Sequence, residues 1–205
     1  MSVDKEEHKQ VVDVVESPQQ FLLFGKYSYT DVVIPEEGMK RYINIAPMFV
    51  IDTAGIYANR PFGKVNVPIV ERLINILMKS GKYTGKKSKA YNTVRKAFDI
   101  IHERTHANPL QVLVNAISMS SPREEITRLQ YGGISVPKAV DSSVYRRISV
   151  SLRNIVKGAI EAPKNRTTDI SKALANEIVL ASKGDVNSYA VSKKAEIERI
   201  ASSAR

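Results

Sequence analysis

The chain has 205 residues, 43% of them apolar, and a formal net charge of +10. That much apolar material can bury a core, so wholesale disorder is excluded. It contains no cysteine, which rules out a disulfide framework, a cysteine-ligated zinc site and a thiol nucleophile, and fits a reducing cytoplasm.

Residues 1–20 are polar and acidic, and Met1 to Gln10 hold no apolar signal core. They are expected to be mobile. Next come Phe21 to Phe24, Tyr27 to Ile34 and Tyr42 to Ile51, rich in aromatic and β-branched residues. Gly25, Pro35, Gly38 and Pro47 punctuate them, so the segment reads as an extended arm with short strands. Apolar stretches such as Ile45 to Ile51 are too short to span a membrane.

From residue 68 the period becomes helical. Ile69, Val70, Leu73, Ile76 and Leu77 make an apolar face that Gly81 ends. Tyr91, Val94, Phe98 and Ile101 repeat at three and four residues and predict a helix over 85–106. Asn108 then suits an N-cap and Pro109 a first helical position. Leu110, Leu113, Val114 and Ile117 face inward in that helix, and Ser120-Ser121-Pro122 closes it.

The period changes to two over 124–140. Gly132-Gly133 is expected to form a two-residue hairpin turn, because such turns need positive φ. Pairing outward puts Tyr131 opposite Ile134 and Leu129 opposite Val136, with Arg128, Gln130, Ser135 and Pro137 on the other face. Pro137 cannot donate to a ladder, so the ribbon is an edge or a free-standing arm. Three more helices follow, at about 142–162, from Thr168 to Gly184, and from Tyr189 onward. The expected fold is mainly α: about six helices, an inserted, protruding two-stranded β-hairpin, and an N-terminal extended arm. Residues 1–61 would be the extension and 62–205 a helical domain.

Charge supports that division. Residues 1–60 carry a net −3, residues 61–120 +7 and residues 121–205 +6. A basic domain attracts polyanions, chiefly nucleic acid or an anionic membrane surface. The bland alternative is a merely soluble basic protein. Between Glu71 and Asp99 every charge is positive: Arg72, Lys79, Lys82, Lys86, Lys87, Lys89, Arg95 and Lys96. Lys86, Lys87 and Lys89 fall in a first helical turn, where the dipole is already positive and a bound phosphate would relieve the conflict. In the helix 142–162, Arg146, Arg153 and Lys157 lie on one line opposite Ile148, Leu152, Ile155 and Ala159, and Arg147 is expected to widen that basic face. The hairpin offers Arg128, Gln130 and Ser135, with Lys138 nearby, to a groove or to splayed bases.

His102-Glu103-Arg104-Thr105-His106 matches the H-E-x-x-H pattern of zinc peptidases. A catalytic zinc needs a third protein ligand, and the one other histidine is His8 in the acidic tail. No phosphate-binding glycine loop or G-x-S-x-G elbow occurs, so no enzyme, metal or cofactor is expected.

Several blocks fall in one familiar order. They are Pro68 to Leu73, Gly85-Lys-Lys87, Asn108 to Ala116, Ser121 to Glu124, Gly132-Gly133, Ala139 to Asp141, Arg146-Arg147, Leu174-Ala175, Glu177, Ala181, Lys183-Gly184 and Lys193-Lys194. Together they resemble ribosomal protein seven of the small subunit, a universal family, from about Phe21 to Arg205. The arm and the Asn-Pro-Leu-Gln block look like the archaeal and eukaryotic branch, and the lack of cysteine leans toward archaea.

The resemblance implies a structural constituent of the cytoplasmic small subunit that binds the 3′ major domain of its RNA and helps nucleate the head. It implies neighbouring ribosomal proteins as partners, and exit-site transfer RNA and the messenger exit channel near the hairpin. The implied ribosomal RNA contacts are Lys79, Lys82, Lys86, Lys87, Lys89, Arg95, Arg123, Arg146, Arg147, Arg153, Lys157, Lys164 and Arg166. The implied hairpin contacts are Arg128, Gln130, Tyr131, Gly132, Gly133, Ser135 and Lys138. Family members often carry more arginine around the glycine pair, where Gln130 and Tyr131 stand here. A stand-alone RNA- or DNA-binding regulator is the competing class, and a zinc peptidase the third.

Overall fold

Among the described residues, six long helices enclose one core, and the residues that precede them turn back to cover it. The computed structural model describes residues 22–48, 50–162 and 169–205. The acidic start 1–20 and the contacts expected at Lys164 and Arg166 lie outside the described residues. The helices are α1 (Glu37–Lys40), α2 (Ile69–Leu77), α3 (Lys87–Thr105), α4 (Pro109–Ser120), α5 (Val144–Glu161), α6 (Ile170–Ser182) and α7 (Tyr189–Ser203). The strands β1 (Glu124–Tyr131) and β2 (Ile134–Asp141) separate α4 from α5.

The six long helices are those the periodicity predicts. Their starts are set by local chemistry. The Asn108 side chain accepts from Leu110 N at 3.0 Å, and Pro109 follows where its missing N–H costs nothing. Asp169 and Ser188 cap α6 and α7 in the same manner. Helix α6 lies at the centre and packs against α3, α4 and α5. Leu174 and Ile178 of α6 are fully buried, as are Phe98, Leu113, Ile117, Ile148 and Leu152 from its neighbours and Leu73 of α2. Each such side chain contributes roughly 1.5–3 kcal/mol through burial. Small residues let the backbones approach. A Cβ on Gly158 of α5 would fall 2.7 Å from Tyr189 Cβ and 2.9 Å from the Glu177 carboxyl carbon.

The arm differs from expectation. In place of short strands it forms a tight turn closed by a Leu23–Tyr27 bridge, the single turn of α1, and an isolated Asn44–Pro68 bridge. Leu23, Tyr27, Met39, Ile43 and Ile51 are buried in the same core as the helices. The aromatic and β-branched residues that suggested strands are apolar anchors, each fastened separately to a helical surface. Side-chain packing overrides strand propensity where no partner strand exists.

The hairpin keeps the predicted register, with Tyr131 opposite Ile134, Leu129 opposite Val136 and Arg128 opposite Pro137. Gly132 and Gly133 take φ of 55° and 88°, as a type I′ turn requires. Both strands are edges of a two-stranded sheet. The base is fastened: Arg123 N donates to Glu198 of α7 at 2.9 Å, and Arg205 pairs with Glu124. Towards the turn, Ile134 and Val136 stay exposed, so the ribbon protrudes from the helices.

Candidate nucleic-acid interface

The basic residues divide into those the protein neutralises itself and those it leaves open. Arg147 belongs to the first kind and corrects the expectation that it widens the basic face of α5. It is buried, and its guanidinium grips both Glu36 oxygens at 2.8 and 3.0 Å and donates to Ser121 Oγ at 3.2 Å. The pair clasps the arm to α5. The Arg147 hydrogen bonds outweigh burial and hold the Glu36 carboxyl below its usual range. A depressed carboxylate stabilises the fold above its unfolded pKa, and that contribution is lost as pH falls through the folded value. Arg147→Met should therefore lower stability by about 2 kcal/mol at neutral pH, in line with charged hydrogen bonds. Its deficit should shrink in acid, when thermal unfolding is followed from pH 7 downward.

Lys87 is also neutralised from within. Its ammonium lies 2.7 Å from Asp52 and 3.0 Å from Glu71, so protein carboxylates relieve part of the dipole conflict at the start of α3. Lys86 and Lys89 remain exposed at that end, which has no side-chain cap and no acidic residue in its first turn. Arg95 is exposed one face further along the same helix, and Lys82 precedes it in a short 3-10 turn, Gly81–Tyr83. On α5, Arg146 is exposed but pairs with Glu125 of β1. On the ribbon, Arg128, Gln130, Ser135 and Lys138 are exposed, and Tyr131 ends β1. Arg123 is exposed at its base.

Four further open cations, none of them from the start of α3 or from the ribbon, meet at a groove of about 510 Å³ between α2 and α5. Lys79, from the end of α2, and Arg153 and Lys157, from α5, line it together with Lys64. Val67, Ile76, Val156 and Ile160 supply apolar wall. Among the described residues Lys79 and Arg153 make no ion pair, while Lys157 has only Glu161 at 3.8 Å. The Lys157 ammonium, pushed up by Tyr189 and Glu161, stays charged. Arg72 also lines the groove. It is buried and held by neutral groups, the Tyr42 carbonyl at 3.1 Å and Ser149 Oγ at 3.3 Å. A buried guanidinium with no carboxylate among the described residues favours an anion beside it.

Sequence reasoning placed Lys79, Arg153 and Lys157 but not Lys64 or Arg72. A signal for Arg72 existed: it stands three residues after Ile69 and four before Ile76, on the buried stripe of its helix.

His102 and His106 do not share a helix face. Helix α3 ends at Thr105, and His106 is a left-handed C-cap at φ 52° whose N–H donates to His102 O. His102 Nδ1 lies 3.1 Å from Ala107 O. These residues form a helix end, and among the described residues no three metal-ligating side chains gather. No helix of the described chain is long and apolar enough to cross a membrane.

A family model described as ribosomal protein S7p/S5e matches residues 39–205. The chain belongs to this family of ribosomal proteins. It is 52% identical over 184 residues to small ribosomal subunit protein uS7 of Picrophilus torridus, covering 90% of this chain and 98% of that protein. It is 50% identical over 184 residues to the protein of that name from Thermoplasma volcanium, covering 90% and 100%. The match to the protein of that name from Archaeoglobus fulgidus is 49% over 187 residues, covering 91% and 96%. This family member is thus of the archaeal type, within the archaeal and eukaryotic branch that the resemblance implied.

Proposed function

We propose that this chain is a structural, non-enzymatic constituent of the cytoplasmic small ribosomal subunit, with residues 62–205 as its RNA-binding part. It binds the 3′ major domain of the small-subunit RNA and helps nucleate the head. Its ribbon lies toward exit-site transfer RNA and the messenger exit channel, beside neighbouring ribosomal proteins. Family membership and the printed names of the archaeal relatives support the subunit. One observation carries the RNA contact: the α2–α5 groove gathers Lys64, Lys79, Arg153 and Lys157 around buried Arg72. Cations held open by rigid helices suit phosphates, which bind guanidinium forks two oxygens at a time.

Two measurements test this. The chain should sediment with small subunits from native lysate, and recovery mainly in ribosome-free fractions would favour a stand-alone regulator. Its affinity for a 3′ major domain transcript should fall linearly with salt on logarithmic axes, by about 0.7–0.9 per neutralised phosphate.

A further inference from the structure

The turn before α2 ends in Phe62, held at φ 56°. A bulky residue in the left-handed region is strained and persists only where the surroundings impose it. Phe24 has a similar φ of 55°, but its ring packs edge-on against Tyr91 and Phe98, so burial accounts for it. Burial does not account for Phe62, which is 70% exposed. Among the described residues its one aromatic neighbour is Tyr145 of α5, edge to face at 5.3 Å.

The next residue fixes the backbone that carries the ring. A Cβ on Gly63 would fall 2.1 Å from the Tyr57 carbonyl oxygen, so the backbone there closes directly on itself. Gly63 N donates to Arg60 O at 3.0 Å, and Val65 N donates to Phe62 O at 3.0 Å. The result is a solvent-facing aromatic ring on a constrained backbone. It also adjoins the basic groove. Lys64 lies over the Tyr145 ring, 5.9 Å from its centroid, and lines the groove with Lys79 and Arg153.

We propose that Phe62 is a stacking platform for one unpaired nucleobase of bound RNA, whose adjoining phosphates are held by Lys64 and the groove. This rests on the RNA reading above and deepens it, by specifying an unpaired nucleotide in addition to backbone. Phosphates alone need only cations. An exposed ring at a fixed position adds nothing to them, whereas every base has a π face that stacks on an aromatic side chain. The complementarity is double: an apolar face for the base, and cations beside it for the phosphates.

The test uses the full chain and a transcript of the 3′ major domain, with affinity measured at several salt concentrations. Phe62→Leu keeps the apolar exposure and the positive φ but removes the π face. It should bind about tenfold more weakly at every salt concentration, with the salt slope and thermal midpoint of the wild type. Phe62→Tyr should bind within about twofold of wild type, since a phenol still stacks. Lys64→Gln should lower the slope by about one. Wild-type affinity in Phe62→Leu would overturn the platform and leave an apolar contact. A loss that arrives with a smaller slope would overturn it too, because Phe62 would then serve only to place Lys64. Wild-type protein with no measurable affinity for the transcript even at low salt would sink the RNA reading itself.

Discussion

Replacing Lys79, Arg153 and Lys157 together by glutamine should weaken binding to the 3′ major domain transcript by about two orders of magnitude in low salt. Each contact is taken as about 1 kcal/mol net of hydration. The salt slope should fall by about two to three, or about one per lost phosphate contact. All three side chains line one groove and are exposed, so their replacement removes no core contact. Glutamine keeps helix propensity, and circular dichroism should be unchanged. Arg146→Gln should do less, because Glu125 already engages that guanidinium. An unchanged slope in the folded triple variant would remove the groove as the RNA contact.

Glu71→Ala should be the most damaging single substitution of a charged residue. The carboxylate is 1% exposed and accepts from Thr53 N at 3.1 Å, Thr53 Oγ1 at 3.2 Å and Lys87 Nζ at 3.0 Å. Its loss strands a buried amide and a hydroxyl, while Lys87 keeps Asp52. We expect a cost of about 3 kcal/mol, below a fully broken buried pair for that reason. At roughly 2–4 °C per kcal/mol for a chain of this size, the thermal midpoint should drop by about 6–12 °C. Glu71→Gln, which can still accept from Thr53, should lose less. A midpoint within about 2 °C of wild type in Glu71→Ala would show that the 52–54 loop is not anchored here. Although burial opposes it, Asp52 and Glu71 hold the Lys87 ammonium above its usual pKa. A raised cation contributes stability below its unfolded pKa and loses it as pH rises through the folded value, so this link weakens only in alkali.

What was legible in the sequence was local. The Asn108 cap, the helical stripes and the ribbon register each depend on residues a few positions apart, and all three are found where expected. What was not legible was pairing at distance. Arg147 meets Glu36 across 111 residues, and Lys87 meets Asp52 across 35. Charge counts along one helix cannot reveal a carboxylate delivered by another segment. Arg147 did carry a clue, since it stands one residue before Ile148 and four before Ser151, on the stripe that faces the core. The arm misled for a related reason. Aromatic and β-branched residues fit a strand or a docked turn equally well until the surface they meet is known.

The α2–α5 groove has a thermodynamic corollary. The link beneath it, Arg72 to Ser149, joins positions 77 residues apart. Neither half of the sequence holds the site alone, so a ligand that needs both halves binds only molecules that have already closed the loop between them. Mass action then stabilises the closed form, by about 2.7 kcal/mol when free ligand stands at a hundred times its dissociation constant. A polyanion seated there would act as a template for the chain that holds it, and by reciprocity each chain that folds would trap one conformation of the polyanion.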